Sequence, residues 1–203
     1  MNRGSRKALL FCHRRDYAAF ERVLVQGLQR IPIRLLAYCA MPNHWHLVVW
    51  PRADGDLSKF MHWVTTTHAQ RLHAANATQG MGALYQGRFK AFPVENDGHL
   101  VRVLQYVERN PLRAQLVDRA ETWRWSSLWH RLQRSSSIPL TAWPVEAPED
   151  WVAFVNQRQP EDEVDAVRVA IRRGTPMGSE RWCRGVVTLL GGNRRRRSPR
   201  SRS

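Results

Sequence analysis

Residues 33–50 contain the pattern that most limits the fold of this chain. Two apolar runs, IRLLAYCA at 33–40 and HWHLVVW at 44–50, are separated only by Met-Pro-Asn. Runs of this length and composition predict β-strands, and so short a turn between them predicts a hairpin. The fold is therefore expected to contain an antiparallel strand pair.

The flanking segments predict helices that pack on this hairpin. Apolar side chains recur at helical spacing behind three acidic residues suited to capping a helix N-terminus, Asp16, Asp56 and Asp97. Residues 88–94, RFKAFPV, predict one more short strand. The order helix, strand, strand, helix, strand, helix predicts an α+β fold, with helices on one face of a small antiparallel sheet.

Composition divides the chain into three parts. Residues 1–134 hold the predicted α+β domain. Residues 135–193 begin as a linker rich in Ser and Pro and continue as a small helical appendage. Residues 194–203, RRRRSPRSRS, carry six arginines and no acidic residue, a composition that predicts a disordered tail.

Charge limits the class of partner. The 203 residues include 32 Lys and Arg against 17 Asp and Glu, and residues 1–142 alone hold 20 basic and 9 acidic side chains. This excess favours a nucleic acid, although a merely basic soluble protein has the same balance. The chain has no apolar run of transmembrane length, no signal-peptide core and three widely spaced cysteines, which together predict a cytoplasmic protein without a membrane partner.

His44 and His46 flank Trp45 in the second predicted strand. Because side chains alternate along a strand, the two imidazoles point to one face and Trp45 to the other. Two imidazoles on one face can bind a metal ion if a third ligand comes from elsewhere. For an isolated His-x-His pair, two structural histidines at a strand end are the simpler interpretation.

A second group of polar residues lies in QYVERNPLRA, residues 105–114. Tyr106 and Asn110 are one helical turn apart, and Arg109 and Arg113 add positive charge beside them. A tyrosine near a metal ion and cations can attack a phosphodiester, and an amide oxygen suits Mg²⁺. A half-buried packing residue is the simpler interpretation of a lone helical tyrosine.

Three motifs occur in the order and spacing of one family: MPNHWHLVVWP, YQGRFKAFPV and YVERNPLRAQLV followed by WRWSS. On these motifs residues 2–134 resemble the REP-associated tyrosine transposases of the single-tyrosine HUH superfamily. The resemblance implies a ferredoxin-like domain that cleaves single-stranded DNA with Mg²⁺ or Mn²⁺ through a covalent 5′-phosphotyrosine. It also implies hairpins of palindromic repeats as substrates, and a monomer or homodimer.

The resemblance assigns roles to individual residues. Tyr106 matches the nucleophile, and the metal ligands match His44, His46 and Asn110. Four basic residues are predicted to contact DNA: Arg88, Lys90, Arg109 and Arg113. For Arg88 and Lys90, ordinary solvated charge is the alternative.

One departure from the family leads to a second hypothesis. Family members usually have an extra strand before the segment that matches Asn2, so the first strand is expected to be missing and the sheet edge unpaired. A start site assigned too late or a decayed copy would both explain this. The alternative function is therefore a non-catalytic binder of DNA hairpins. A hydrolase of small phosphates is disfavoured, because the main body is basic and lacks a phosphate-binding glycine loop.

Overall fold

The chain folds into a small antiparallel sheet between helices. The structure, a computed structural model, describes residues 1–78, 80–133 and 136–195. Two short 3₁₀ turns, Ser5–Lys7 and Ala120–Thr122, accompany the regular elements. In chain order these elements are β1 (Asn2–Arg3), α1 (Arg14–Arg30), β2 (Ile33–Met41), β3 (His44–Pro51), α2 (Asp56–Ala75), α3 (Gly98–Glu108), α4 (Asn110–Arg113), α5 (Ser127–Leu132), α6 (Trp151–Asn156), α7 (Glu161–Arg173) and α8 (Glu180–Arg195).

The predicted hairpin is confirmed and forms the centre of the sheet. The strand order is β1-β3-β2, and both pairings are antiparallel. In this register Cys39 of β2 lies opposite His46, and Arg3 of β1 lies opposite His44. The α+β class predicted from the sequence is therefore confirmed.

The edge of the sheet beside β3 is paired at one end, whereas an unpaired edge was expected. Asn2 and Arg3 form a two-residue strand that pairs with Trp45 and His44 of β3. Residues 85–90 then run alongside β1: the Gln86 amide donates to the Arg3 carbonyl at 3.0 Å, and the Lys90 amide donates to the Met1 carbonyl at 2.9 Å. Among the described residues, the pairing of β1 with β3 does not extend beyond Trp45, so the edge is covered only beside the two histidines.

The strand predicted at residues 88–94 is wrong. The segment forms no strand. Its last residue, Val94, makes a single bridge to Met177, and Tyr85, which precedes the segment, makes one to Gly4. Pro93 has no amide hydrogen, so it cannot donate to a regular ladder.

Helices cover both faces of the sheet, which corrects the prediction of one covered face. Helices α1 and α2 pack on the face that carries Leu35, Tyr38 and Trp45. Helices α3 and α7 pack on the opposite face, around Leu36 and Val48. Both faces of β2 are apolar, so its continuous apolar run fits a strand covered on both sides.

The helix caps follow the acidic residues only in part. Asp97 caps α3, since its side chain accepts from the His99 amide. Asp16 lies inside the first turn of α1, and its carboxylate accepts from the amides of Cys12 and His13. Asp56 is the first residue of α2, with Gly55 before it, and accepts from the Ala53 amide. The acids therefore mark the helix starts to within three residues.

The C-terminal part packs onto the α+β part. Val164, Val167 and Met177 belong to the same apolar cluster as Leu104 and Val107 of α3. Of the tail predicted at 194–203, residues 194 and 195 end α8, and residues 196–203 lie outside the described part of the chain. Among the described helices, none combines the length and apolar character that crossing a membrane requires.

Candidate active site

His44 and His46 lie side by side on the α3 face of β3. Their ring centroids are 5.1 Å apart, and the ring planes are nearly perpendicular. His46 is buried and His44 half-buried. Trp45 points to the other face and packs against Phe20 of α1. The predicted alternation along the strand is therefore confirmed, and both imidazoles reach one site.

Both imidazoles are held in the neutral form. Burial and, to a smaller extent, the positive charges of Arg3 and Arg113 lower the pKa of His44 to about 4. Burial also puts the pKa of His46 well below its ordinary value, with His44 as the next cause. His44 Nδ1 lies 2.7 Å from Asn43 Oδ1, so the proton belongs on Nδ1 and the lone pair on Nε2. Neutral imidazole is the form that binds metal ions.

Tyr106 lies on α3, directly across from the histidines. Its ring meets the His46 ring edge-on, with 5.8 Å between centroids. The guanidinium carbon of Arg113 lies 4.1 Å from the centre of the Tyr106 ring on another side. The Tyr106 ring therefore contacts both an imidazole and a guanidinium. A tyrosine that serves only in packing does not need these two polar neighbours.

Asn110 joins this group through Arg113. The helix is interrupted at Arg109, and Asn110 begins α4 ahead of Pro111, as the proline predicts. The Asn110 side chain is buried, and its Oδ1 accepts a hydrogen bond of 3.0 Å from Arg113 Nη2. Asn110 Nδ2 and Arg113 Nη1 are also buried, and neither has a hydrogen-bond partner among the described residues.

Arg113 is a cation whose side chain contacts two other residues of the site, Tyr106 and Asn110. Burial lowers its pKa, whereas the phenol of Tyr106 raises it. It makes no ion pair with a carboxylate in the described part of the chain. A half-buried guanidinium without a carboxylate partner is a ready site for a phosphate group.

The other three predicted DNA contacts are placed differently. Arg88 and Lys90 are exposed in the segment beside β1. Arg109 donates from Nε to the Gln157 carbonyl at 2.7 Å, so part of its guanidinium is bound to the C-terminal part of the chain.

A cleft of about 720 Å³ adjoins the site. His46 and Tyr106 line it together with Lys90, and most of its surface is apolar, including Phe92 and Trp182. Pockets of this size and character are typical of ligand sites. The cleft gives His46 and Tyr106 access from outside the core.

Sequence reasoning missed the residues that hold the His44–His46 strand from behind. The Tyr85 hydroxyl accepts from Trp45 Nε1 at 3.1 Å and lies 2.6 Å from Nδ1 of the buried His68. Trp45 is the residue between the two histidines, so this contact fixes the strand at the site. The available signal was the joint occurrence of the HWH and YQGRF motifs, 40 residues apart.

A separate group of possible metal ligands lies away from the histidine pair. Glu95, Asp97 and His99 have ligand atoms within 4.8 Å of one another. Glu95 accepts from the Ser179 amide, and Asp97 caps α3 while contacting His99. These structural hydrogen bonds account for the cluster without a metal ion.

Comparison with known proteins indicates the family of the chain. The family model described as "Transposase IS200 like" matches residues 5–110, about half of the chain and including every proposed metal ligand and Tyr106. No curated protein matches the sequence significantly. A solved structure of the REP-associated tyrosine transposase bound to a REP hairpin has a similar fold, with a TM-score of 0.53 and 16% identity. The similarity covers 78% of this chain and 88% of that one.

The structural comparison shows a shared fold, and the family model shows the relationship. Both agree with the resemblance predicted from the three motifs. The chain belongs to the IS200-like transposase family.

Proposed function

We propose that this protein is a metal-dependent endonuclease and strand transferase that acts on single-stranded DNA with hairpin-forming repeats. The observation that carries the proposal is the position of Tyr106 between His46 and Arg113, with Asn110 bound to the same arginine. The hairpin substrate is inferred from the family and from the REP hairpin bound by the structural relative. A monomer or a homodimer is expected.

The residues of the site fit a hard divalent cation. His44 offers Nε2, and His46 is held neutral by burial. Asn110 is buried, its Nδ2 has no hydrogen-bond partner among the described residues, and its Oδ1, which accepts from Arg113, retains a second lone pair. Two imidazoles and an amide oxygen leave open positions for substrate oxygens, as Mg²⁺ or Mn²⁺ requires. When bound, the ion would polarise the scissile phosphate.

Tyr106 is the proposed nucleophile. Its phenolic oxygen gives up its proton and forms a bond to the phosphorus, while the bond from phosphorus to the 3′ oxygen breaks. The 3′ oxygen leaves as a hydroxyl after taking up a proton, and the 5′ phosphate remains on Tyr106. The reverse attack by a second 3′ hydroxyl rejoins the strand without an external energy source. Arg113 is placed to stabilise the negative charge of the transferring phosphate.

The remaining predicted DNA contacts serve binding in this proposal. Arg88 and Lys90 are exposed on the segment that leads into the cleft, where they are able to contact backbone phosphates. Arg109 retains nitrogens beyond the one bound to Gln157 and is proposed to make a further phosphate contact.

A denaturing gel tests the catalytic part of the proposal. The protein is incubated with a single-stranded hairpin oligonucleotide and Mn²⁺, and a covalent protein–DNA band is expected. Tyr106→Phe should abolish that band, whereas Tyr17→Phe, a change of the same kind in the core on the other face of the sheet, should retain it. Hairpin binding by a folded protein without adduct or cleavage would instead identify a non-catalytic binder.

Metal binding has a readout that does not depend on activity. Mn²⁺ titrations followed by electron paramagnetic resonance should show one site, and His46→Ala should weaken it at least tenfold. His62→Ala, on the exposed side of α2, is the matched control and should leave the affinity unchanged. Equal affinities for all three proteins would exclude His46 as a ligand.

A further inference from the structure

The helix that carries Tyr106 is bonded along its length to the C-terminal part of the chain. We refer to residues 151–159 as the α6 segment. Four side-chain hydrogen bonds join this segment to α3 and its C-cap. They are Trp151 Nε1 to Glu108 Oε2 at 2.7 Å, Gln105 Nε2 to the Phe154 carbonyl at 2.7 Å, Arg109 Nε to the Gln157 carbonyl at 2.7 Å and Gln159 Nε2 to the Arg102 carbonyl at 3.2 Å.

These contacts are spaced at three or four residues along α3. Positions 102, 105, 108 and 109 therefore form one continuous strip beside Tyr106 at 106. A strip of bonds on one side of a helix resists both rotation about its axis and sliding along it. Either motion would carry Tyr106 away from His46 and Asn110 away from the histidine pair.

Glu108 is the centre of this arrangement. It is fully buried, and burial raises the pKa of its carboxyl group. One carboxylate oxygen accepts from Trp151 and the other from the Ser127 hydroxyl. Ser127 also accepts from the Tyr38 amide in β2 at 3.0 Å. Glu108 thereby links α3 to the α6 segment and, through Ser127, to the strand beside the histidines.

We infer that the α6 segment is a positioning element for the nucleophile, acting through Glu108. This inference rests on the proposed function. The α6 segment lies outside residues 5–110, the range that matches the family model, so the family match does not assign it this role. A displacement of about 1 Å in a reacting group can lower a rate about a hundredfold, which is the scale on which such bonds act.

A contact that only stabilises the fold makes a different prediction. It would lower the free energy of unfolding while leaving the rate per folded molecule unchanged. A positioning contact lowers the rate of adduct formation at saturating DNA and leaves hairpin affinity nearly unchanged. The two roles are therefore separated by measuring the single-turnover rate, the hairpin dissociation constant and the folded fraction on the same samples.

The first variant is Trp151→Phe, which removes the indole donor and keeps an aromatic ring. Its matched control is Trp123→Phe, which removes an indole hydrogen bond of 3.0 Å to the Ala40 carbonyl in β2 instead of α3. We expect the single-turnover rate of Trp151→Phe to fall at least tenfold and that of Trp123→Phe to fall less than threefold. Hairpin affinity should change less than threefold in both.

The second pair changes Glu108 itself. In Glu108→Gln the amide oxygen can accept from Trp151 while the amide nitrogen donates to Ser127, whose hydroxyl also accepts. In Glu108→Met both bonds are lost at similar volume. The glutamine variant should therefore retain the rate to within about fivefold, and the methionine variant should lose at least tenfold more.

The outcomes separate this inference from the proposed function. If the unaltered protein forms no adduct, the proposed function fails. If it forms the adduct and Trp151→Phe and Glu108→Met react at its rate per folded molecule, the proposed function stands and the positioning role is overturned. A rate loss in Trp123→Phe as large as that in Trp151→Phe would also overturn it, because the effect would then not depend on contact with α3.

Discussion

The guanidinium carbon of Arg113 lies 4.1 Å from the centre of the Tyr106 ring. The same side chain donates to Asn110, so one cation touches both the proposed nucleophile and a proposed metal ligand. Tyr106 and Arg113 are seven positions apart, on either side of the helical interruption at Arg109. Arg113 therefore links the proposed nucleophile to a proposed metal ligand. We expect the planar shape of its guanidinium to matter for the reaction rate as much as its charge.

Arg113→Lys tests that geometry at constant charge. A lysine ammonium cannot cover the Tyr106 ring and also donate to Asn110, because it lacks the planar fork of arginine. Loss of these contacts, together about 2 kcal/mol, should slow adduct formation about thirtyfold in a single-turnover assay. Arg124→Lys is the matched control, since Arg124 stacks on Trp125 at 4.8 Å and its ring contacts are remote from Tyr106. Equal rates for the two variants would contradict a special role for Arg113.

Tyr85→Phe tests the support behind the histidine strand. The variant leaves Trp45 Nε1 and His68 Nδ1 without the hydroxyl that joins them in the core. Each buried polar group left unsatisfied costs about 1–3 kcal/mol, so urea unfolding should show a loss of about 2–5 kcal/mol. Tyr17→Phe is the control: the Tyr17 ring stacks on Trp125, and its hydroxyl makes no hydrogen bond within the described residues. If the free energy of unfolding of Tyr85→Phe falls no further than that of Tyr17→Phe, the hydroxyl contacts of Tyr85 do not stabilise the fold.

Local sequence patterns predicted the parts of the site that depend on local structure. Strand alternation placed His44 and His46 on one face, and the helical period placed Tyr106 and Asn110, which are both buried, one turn apart. Both periodicities are properties of a single element, so one sequence contains all the information they need.

The remaining features depend on contacts between distant segments. Residues 88–94 have the alternation of a strand, but their neighbours belong to β1 and to the segment before α8. The hydrogen bonds of Glu108 come from Ser127 and Trp151, 19 and 43 residues away. Periodicity contains no information about such partners. The joint presence of YVERNP and WRWSS in one chain indicated a relationship between these segments but gave no geometry.

The buried histidines predict a loss of stability in mild acid. Burial lowers the pKa of His68 to about 4, with Asp16 opposing, whereas an unfolded histidine titrates near 6.5. Between these values the unfolded chain binds a proton that the folded chain does not, so the free energy of unfolding falls as the pH decreases. Above pH 6.5 His68 is neutral in both states, and the free energy of unfolding keeps its full value. By pH 5 it should have fallen by about 2 kcal/mol. His44 and His46 act in the same direction.

Urea unfolding at pH 7 and pH 5 checks this for His68. His68→Gln should reduce the difference between the two values by about 2 kcal/mol, because glutamine does not titrate. His62→Gln, exposed on the same helix, should leave the difference unchanged. An equal pH dependence in both variants would show that His68 is protonated in the folded protein at pH 5.

Arg88 and Lys90 should make the affinity for the DNA hairpin depend on salt concentration. Both are exposed near the cleft and leave their charge available to phosphates. Each phosphate contact contributes about 0.7–0.9 to the slope of log affinity against log salt concentration. The double variant Arg88→Gln, Lys90→Gln should therefore reduce that slope by about 1.5 and weaken hairpin binding at low salt more than at high salt.

The control is the double variant Arg14→Gln, Arg22→Gln, which removes the same charge from α1 on the other face of the sheet. It should leave the slope nearly unchanged because α1 does not line the cleft. Equal slopes in the two double variants would mean that the basic charge acts as a diffuse field, without direct contacts from Arg88 and Lys90.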